Sequence, residues 1–196
     1  MIKMVGNKPN YTKFDVLRCF FRIGEKISRH NLAKSLEMGE GTIRTILDIL
    51  KNKKLIESTK KGHFLSSHGT SEMGKLKENM ALPARIESNS IFGNLKKSAV
   101  LVKNAAELPP AYRLRDIAVK NGAEGAIILK YDKRLYAPEA DSEFSYEEIE
   151  KYFELNKGDI IILSFADSYS TAEDSALAAA SEINAALKSF INRLSN

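Results

Sequence analysis

Between Ser28 and Ser58 the spacing of apolar residues changes twice, and that order restricts the fold more than any other stretch of the chain. Leu32, Ala33 and Leu36 recur at helical spacing behind Ser28, a residue type that caps helix N-termini. Gly39 and Gly41 then interrupt the pattern and are expected to supply the turn, because glycine enters conformations that helices exclude. Ile43, Ile46, Leu47 and Leu50 form a second stripe on a helix expected over residues 42–52. Two short extended runs, 55–58 and 63–66, flank Lys60-Lys61-Gly62 and predict a β-hairpin. Residues 11–24, with Phe14, Leu17, Phe20, Phe21 and Ile23, supply a further helix to the same core. A helix over about 71–80 closes the unit.

The face opposite the second stripe carries Thr42, Arg44, Thr45, Asp48 and Lys51. An arginine near the start of a helix lying in the major groove reaches guanine O6 and N7, and threonine meets phosphate or a thymine methyl. Lys60, Lys61 and His63 on the hairpin bring positive charge toward a sugar-phosphate backbone, and Arg29 adds another cation. The candidate DNA contacts are therefore Arg29, Thr42, Arg44, Thr45, Lys51, Lys60, Lys61 and His63. Any amphipathic helix has a polar far face, so charge distribution has to support the reading. Residues 1–80 hold 16 Lys+Arg against 8 Asp+Glu, whereas the remaining 116 residues hold 14 against 17. A basic block that coincides with a helix-turn-helix pattern is the footprint of nucleic-acid binding.

The run LAKSLEMGEGTIRTILDILKNKKLIES follows the pattern LA…L-x-x-G-x-x-T-[VI]-R-x-x-L…L…L-I and resembles the winged-helix regulators of bacteria and archaea. HFLSSHGTSEMGKLKE is similar to the segment after their wing. The whole layout resembles an archaeal two-domain family with a winged helix ahead of a C-terminal domain of unknown function. The resemblance implies a transcriptional regulator with double-stranded DNA as partner. Glu40 departs from the pattern, since many relatives carry a small or basic residue there.

Pro83 ends the helical pattern and divides the chain into a winged helix-turn-helix domain, 1–82, and an α+β domain, 83–196. Extended segments are expected at 85–92 and 99–103, then a helix from Pro109-Pro110 to about Asn121 with Gly122 as its stop. A hairpin follows at 125–131 and 135–138, then a helix from Ser145 to about Leu155 with Glu148 completing a capping box. Residues 159–165, DIIILSF, predict a central strand, and 171–194 a single long terminal helix. The order βαββαβ points to an α+β sandwich of ferredoxin-like type.

The loop leaving that strand makes Asp167, Ser168, Ser170 and Thr171 a candidate small-molecule site at a helix N-terminus. Helix capping alone is the competing reading, and Asp167, Glu173 and Asp174 disfavour a phosphate there. Seven alanines between Ala172 and Ala186 predict close helix packing, either against the sheet or against a second copy in a homodimer. The one cysteine, Cys19, lies among apolar residues, and a packing role is favoured over a redox role. His30, His63 and His68 show no metal-ligand spacing, so no metal or cofactor is expected. No catalytic signature is present, and no apolar run approaches the roughly 20 residues that span a bilayer. The expectation is a cytoplasmic, homodimeric, DNA-binding regulator that is not an enzyme, its second domain sensing a small ligand, holding the dimer, or both. The alternatives are a protein- or RNA-binding adaptor, or a small-molecule enzyme housed in the C-terminal domain.

Overall fold

A capping box starts the first helix: the Thr12 hydroxyl accepts from the Asp15 N–H, and the Asp15 carboxylate accepts from the Thr12 N–H. The computed structural model describes residues 10–24, 26–88, 90–105, 108–140 and 144–195. Its N-terminal half runs α1 (Lys13–Arg22), α2 (Arg29–Leu36), α3 (Glu40–Asn52), β1 (Ile56–Thr59), β2 (Gly62–Leu65) and α4 (Ser67–Asn79). Ser28 caps α2 by accepting from the Asn31 N–H. The turn between α2 and α3 is not made as expected. Glu37 takes the left-handed conformation at φ 60°, while Gly39 is extended and caps α3, and Gly41 lies within that helix.

β1 and β2 pair antiparallel around Lys60 and Lys61, with Ile56 opposite Leu65 and Thr59 opposite Gly62. Ile27 joins them as a third, one-residue bridge through backbone bonds of 2.9 and 2.8 Å with His63. Gly62 permits this approach. Its φ is 133°, and a Cβ there would stand 2.6 Å from the Ile27 carbonyl oxygen.

The C-terminal half runs β3 (Ala84–Ile86), β4 (Lys96–Val102), α5 (Ala111–Lys120), β5 (Gly125–Asp132), β6 (Arg134–Tyr136), α6 (Glu147–Glu150), β7 (Ile160–Ala166), α7 (Tyr169–Ile183) and α8 (Ala185–Ser195). Five strands form one antiparallel sheet in the order β3-β4-β7-β5-β6. This departs from the expected ferredoxin-like order, in which β4 and β6 would occupy the centre. β7 is buried at all seven positions and takes the middle, while three-residue β6, exposed at both ends, suits only an edge. The expected strand at 85–92 shrinks to β3, because residues 90–94 form a turn. Ser145 caps nothing: α6 is one turn long, Tyr146 precedes it without a side-chain cap, and the Glu148 carboxylate accepts from the Ser90 hydroxyl.

The long terminal helix also breaks in two. At Asn184 the backbone becomes extended; its side-chain oxygen accepts from the Leu187 N–H and its amide donates to the Asn79 carbonyl. α8 then folds back onto α1 and α4, with the Phe190 and Phe20 ring centroids 5.0 Å apart, so besides α7 it packs on the N-terminal half. The alanines of α7 are buried within this chain against β4, β7, α5 and α1, which leaves that stripe unavailable to a second copy. One apolar core runs from α1–α4 through α7 and α8 to the helix-covered face of the sheet. A smaller core covers the other face around Ile86, Leu101, Ile149 and Ile161.

Candidate nucleic-acid interface

α3 turns Ile43, Ile46, Leu47 and Leu50 inward and leaves Arg44 and Thr45 exposed on the far side. Thr45 donates back to the Gly41 carbonyl at 3.3 Å. Thr42 is the exception to the expected outer face. It is only 9% exposed, and its hydroxyl accepts from the Asn10 amide at 2.9 Å, so it is packed and capped instead of presented. Its position one residue before Ile43 puts it on the shoulder of the apolar stripe.

Arg44 borders an open cleft of about 470 Å3 whose walls include Arg29, His30, Glu40, Asp48, Lys51 and His63. The cleft brings together four of the eight residues singled out in the sequence, Arg29, Arg44, Lys51 and His63, while Thr45 is exposed on α3 next to Arg44. Glu40 is held by Arg29 at 3.0 Å and His30 at 3.1 Å, and hydrogen bonds from His30 and Arg29 keep its carboxyl below the usual range. It therefore stays ionised and neutralises a neighbouring cation. Asp48 lies 4.0 Å from the Lys51 ammonium.

His63 is not at the hairpin tip. It sits half-buried on β2, with Nδ1 2.7 Å from the Ser58 hydroxyl. Desolvation, reinforced by Lys51 and Arg29, pushes its pKa down, so at pH 7 it offers a neutral imidazole and no charge. Lys60 and Lys61 form the exposed tip themselves.

The second candidate site falls at the junction of the two halves. Ser168 caps α7, accepting from the Thr171 N–H at 3.1 Å and lying 2.9 Å from the Thr171 hydroxyl. The Ser170 hydroxyl accepts from Arg18 at 2.8 Å. Asp167 is exposed beside them. Three of these four side chains thus cap α7 or dock it on α1.

Around them lies a charge cluster that the sequence reading missed. Arg18, 1% exposed, donates to Glu173 at 2.7 Å and to Asp15 at 3.0 Å, with Asp174 3.5 Å away. Glu173, also 1% exposed, further accepts from Arg22 at 2.6 Å and from Arg85 at 3.0 Å. Arg85 reaches on to the Ser35 carbonyl at 2.8 Å and lies 4.5 Å over the Tyr169 ring. Burial works against the Arg18 charge, but Glu173, Asp174 and Asp15 outweigh it and hold the guanidinium charged. Burial, and Asp15 beside it, push Asp174 up to about 7 against the pull of Arg18. The sequence does carry a signal: Arg18 sits among apolar positions of one helix and Glu173 among the alanines of another. Cys19 is buried nearby, its thiol pushed up to about 12 by desolvation, which suits packing and not thiolate chemistry.

Residues 12–71 match the family described as PH0730-like, N-terminal domain, and residues 94–183 match a domain of unknown function, DUF4443. A solved structure titled "Hypothetical protein PH0730 from Pyrococcus horikoshii OT3" is 31% identical, with a TM-score of 0.74 over 92% of this chain and 99% of that one. The chain belongs to the PH0730-like family. The PH0730-like match spans α1 to the start of α4, and the DUF4443 match spans β4 to the end of α7, stopping where α8 turns back. No curated protein matches the chain. Among the described residues, no helix is long and apolar enough to cross a membrane.

Proposed function

We propose that this PH0730-like protein is a cytoplasmic, homodimeric transcriptional regulator that binds duplex DNA. In this reading α1–α4 and the hairpin constitute a winged helix-turn-helix, with α3 as recognition helix and β1-β2 as wing. The observation that carries it is the exposed Arg44 and Thr45 on α3, bordered by Arg29 and Lys51 and flanked by a hairpin with lysines at its tip. Arg44 reads a base edge, while Lys51, Lys60 and Lys61 meet phosphates. Glu40, already paired with Arg29 and hydrogen-bonded to His30, does not oppose the approach. The C-terminal domain senses a small ligand and does not catalyse. A twofold partner docks through a face other than the alanine stripe.

Fluorescence anisotropy tests the reading, with the protein's own upstream duplex, a random duplex and single-stranded RNA compared across a salt series. Arg44→Ala is expected to cost about 1–3 kcal/mol at the preferred site and to relax its specificity. Lys60→Ala is expected to weaken binding to every duplex alike and reduce the salt slope by about 0.9. Equal affinity of the native chain for all three nucleic acids would remove the regulator reading.

A further inference from the structure

Lys97, the second residue of β4, is 2% exposed. Its ammonium donates to the carbonyl oxygens of Ser88 at 2.7 Å, Gly93 at 2.8 Å and Leu95 at 2.8 Å. Those three bonds use every N–H it has, and all go to neutral oxygens. Among the described residues no carboxylate lies within ion-pair distance of it. Buried charges are ordinarily paired, because a charge removed from water needs an opposite charge to offset the loss. Lys97 is hydrogen-bonded but not neutralised.

The same segment walls an open cavity of about 570 Å3, lined on the other side by Tyr169 at the start of α7. That volume is in the range of metabolite sites. Lys96 is exposed on its wall and lies 5.5 Å over the Tyr169 ring. Against Lys96 and Lys97 the cavity lining sets one carboxylate, Glu87. The wall is also held in shape: Phe92 sits at φ 50° and stacks on Phe165 with ring centroids 3.9 Å apart, so the turn costs strain that the stacking offsets.

We propose that this cavity binds a small oxyanion, the phosphoryl or carboxylate group of a metabolite, with Lys96 and the Tyr169 hydroxyl as direct contacts and Lys97 as the buried charge that the anion neutralises. As the effector site of a regulator it rests on the reading above; as an anion site it stands on the cavity alone. It differs from the loop face of Asp167, Ser168 and Thr171, where Ser168 and Thr171 cap α7. Arg85, stacked on Tyr169 and bonded to Ser35 of α2, connects the cavity to the N-terminal half.

The test is a 1H–15N NMR titration of the full chain with inorganic pyrophosphate and, separately, citrate, at constant ionic strength. Saturable shifts of the Gly93, Asn94 and Lys96 amides are expected, with one of the two probes binding more tightly and so naming the group. Lys96→Glu is expected to weaken that binding at least tenfold while its spectrum elsewhere stays native, since the side chain is exposed. Lys97→Met is expected to abolish it, and Lys60→Ala to leave it unchanged. Shifts that never saturate, shifts confined to Arg29, Lys51 and the hairpin, or native affinity in Lys96→Glu would each overturn the site. Saturable binding here in a chain that fails the anisotropy assay would uphold the site and remove only the regulator reading.

Discussion

Thr12 has one hydroxyl proton and two carboxylates competing for it. Its Oγ lies 3.1 Å from an Asp15 oxygen and 3.2 Å from an Asp174 oxygen, while it also accepts from the Asp15 N–H. The second Asp174 oxygen is buried without a hydrogen-bond partner. A proton on Asp174 resolves the shortage, consistent with a carboxyl pushed up to about 7 from an ordinary 3.8. The folded chain therefore holds a proton that the unfolded chain has released between about pH 4 and pH 7. Stability from this group is full below pH 4, falls as pH rises through that window, and levels off above it. Asp174→Asn is expected to melt at a higher temperature than the native chain at pH 8, with the gap closing by pH 5. Two pH series of thermal melts measure it, and a gap that does not depend on pH would refute the assignment.

The hairpin depends on a single position without a side chain. Gly62 combines φ 133° with backbone contact to Ile27, so alanine there meets both a disfavoured conformation and a carbonyl oxygen at 2.6 Å. Gly62→Ala is expected to lose about 1–3 kcal/mol in urea denaturation, because it strains β2 and parts it from Ile27. Hydrogen exchange at the Ile27 and His63 amides, which bond to each other's carbonyls, should speed up in the same variant. Unchanged stability with unchanged exchange would show that the hairpin does not need this contact.

Across the whole molecule the two halves share one core and one charge cluster. Phe20 of α1 packs on Phe190 of α8, and the apolar cluster extends unbroken to Ile162 in the middle of the sheet. Calorimetry is therefore expected to show a single cooperative transition, with calorimetric and van't Hoff enthalpies in agreement; two separated transitions would contradict a shared core. Glu173 pairs with three arginines from α1 and β3 at once. Glu173→Ala leaves Arg18 buried without its principal partner and is expected to cost about 3–5 kcal/mol, measured by denaturant unfolding.

What could be read from the amino acids alone was local. Ser28 as a cap, the stripe of Ile43, Ile46, Leu47 and Leu50, the hairpin around Lys60 and Lys61, and the apolar strand expected at 159–165 are each written in a few consecutive residues. Capping, periodicity and turn chemistry act over that same range. Thr42 lies off the exposed face because one helical position separates the shoulder of a stripe from its far side, and only packing against Asn10 decides between them. The terminal helix looked continuous because alanine favours helix throughout; Asn184 breaks it by meeting Asn79, 105 positions earlier. The strand order, the pairing of Arg18 with Glu173 across 155 positions, and the cavity between Lys96 and Tyr169 have no local signature. Each depends on which distant surfaces meet. That is settled by the burial of whole faces, a sum over the chain that no short window contains.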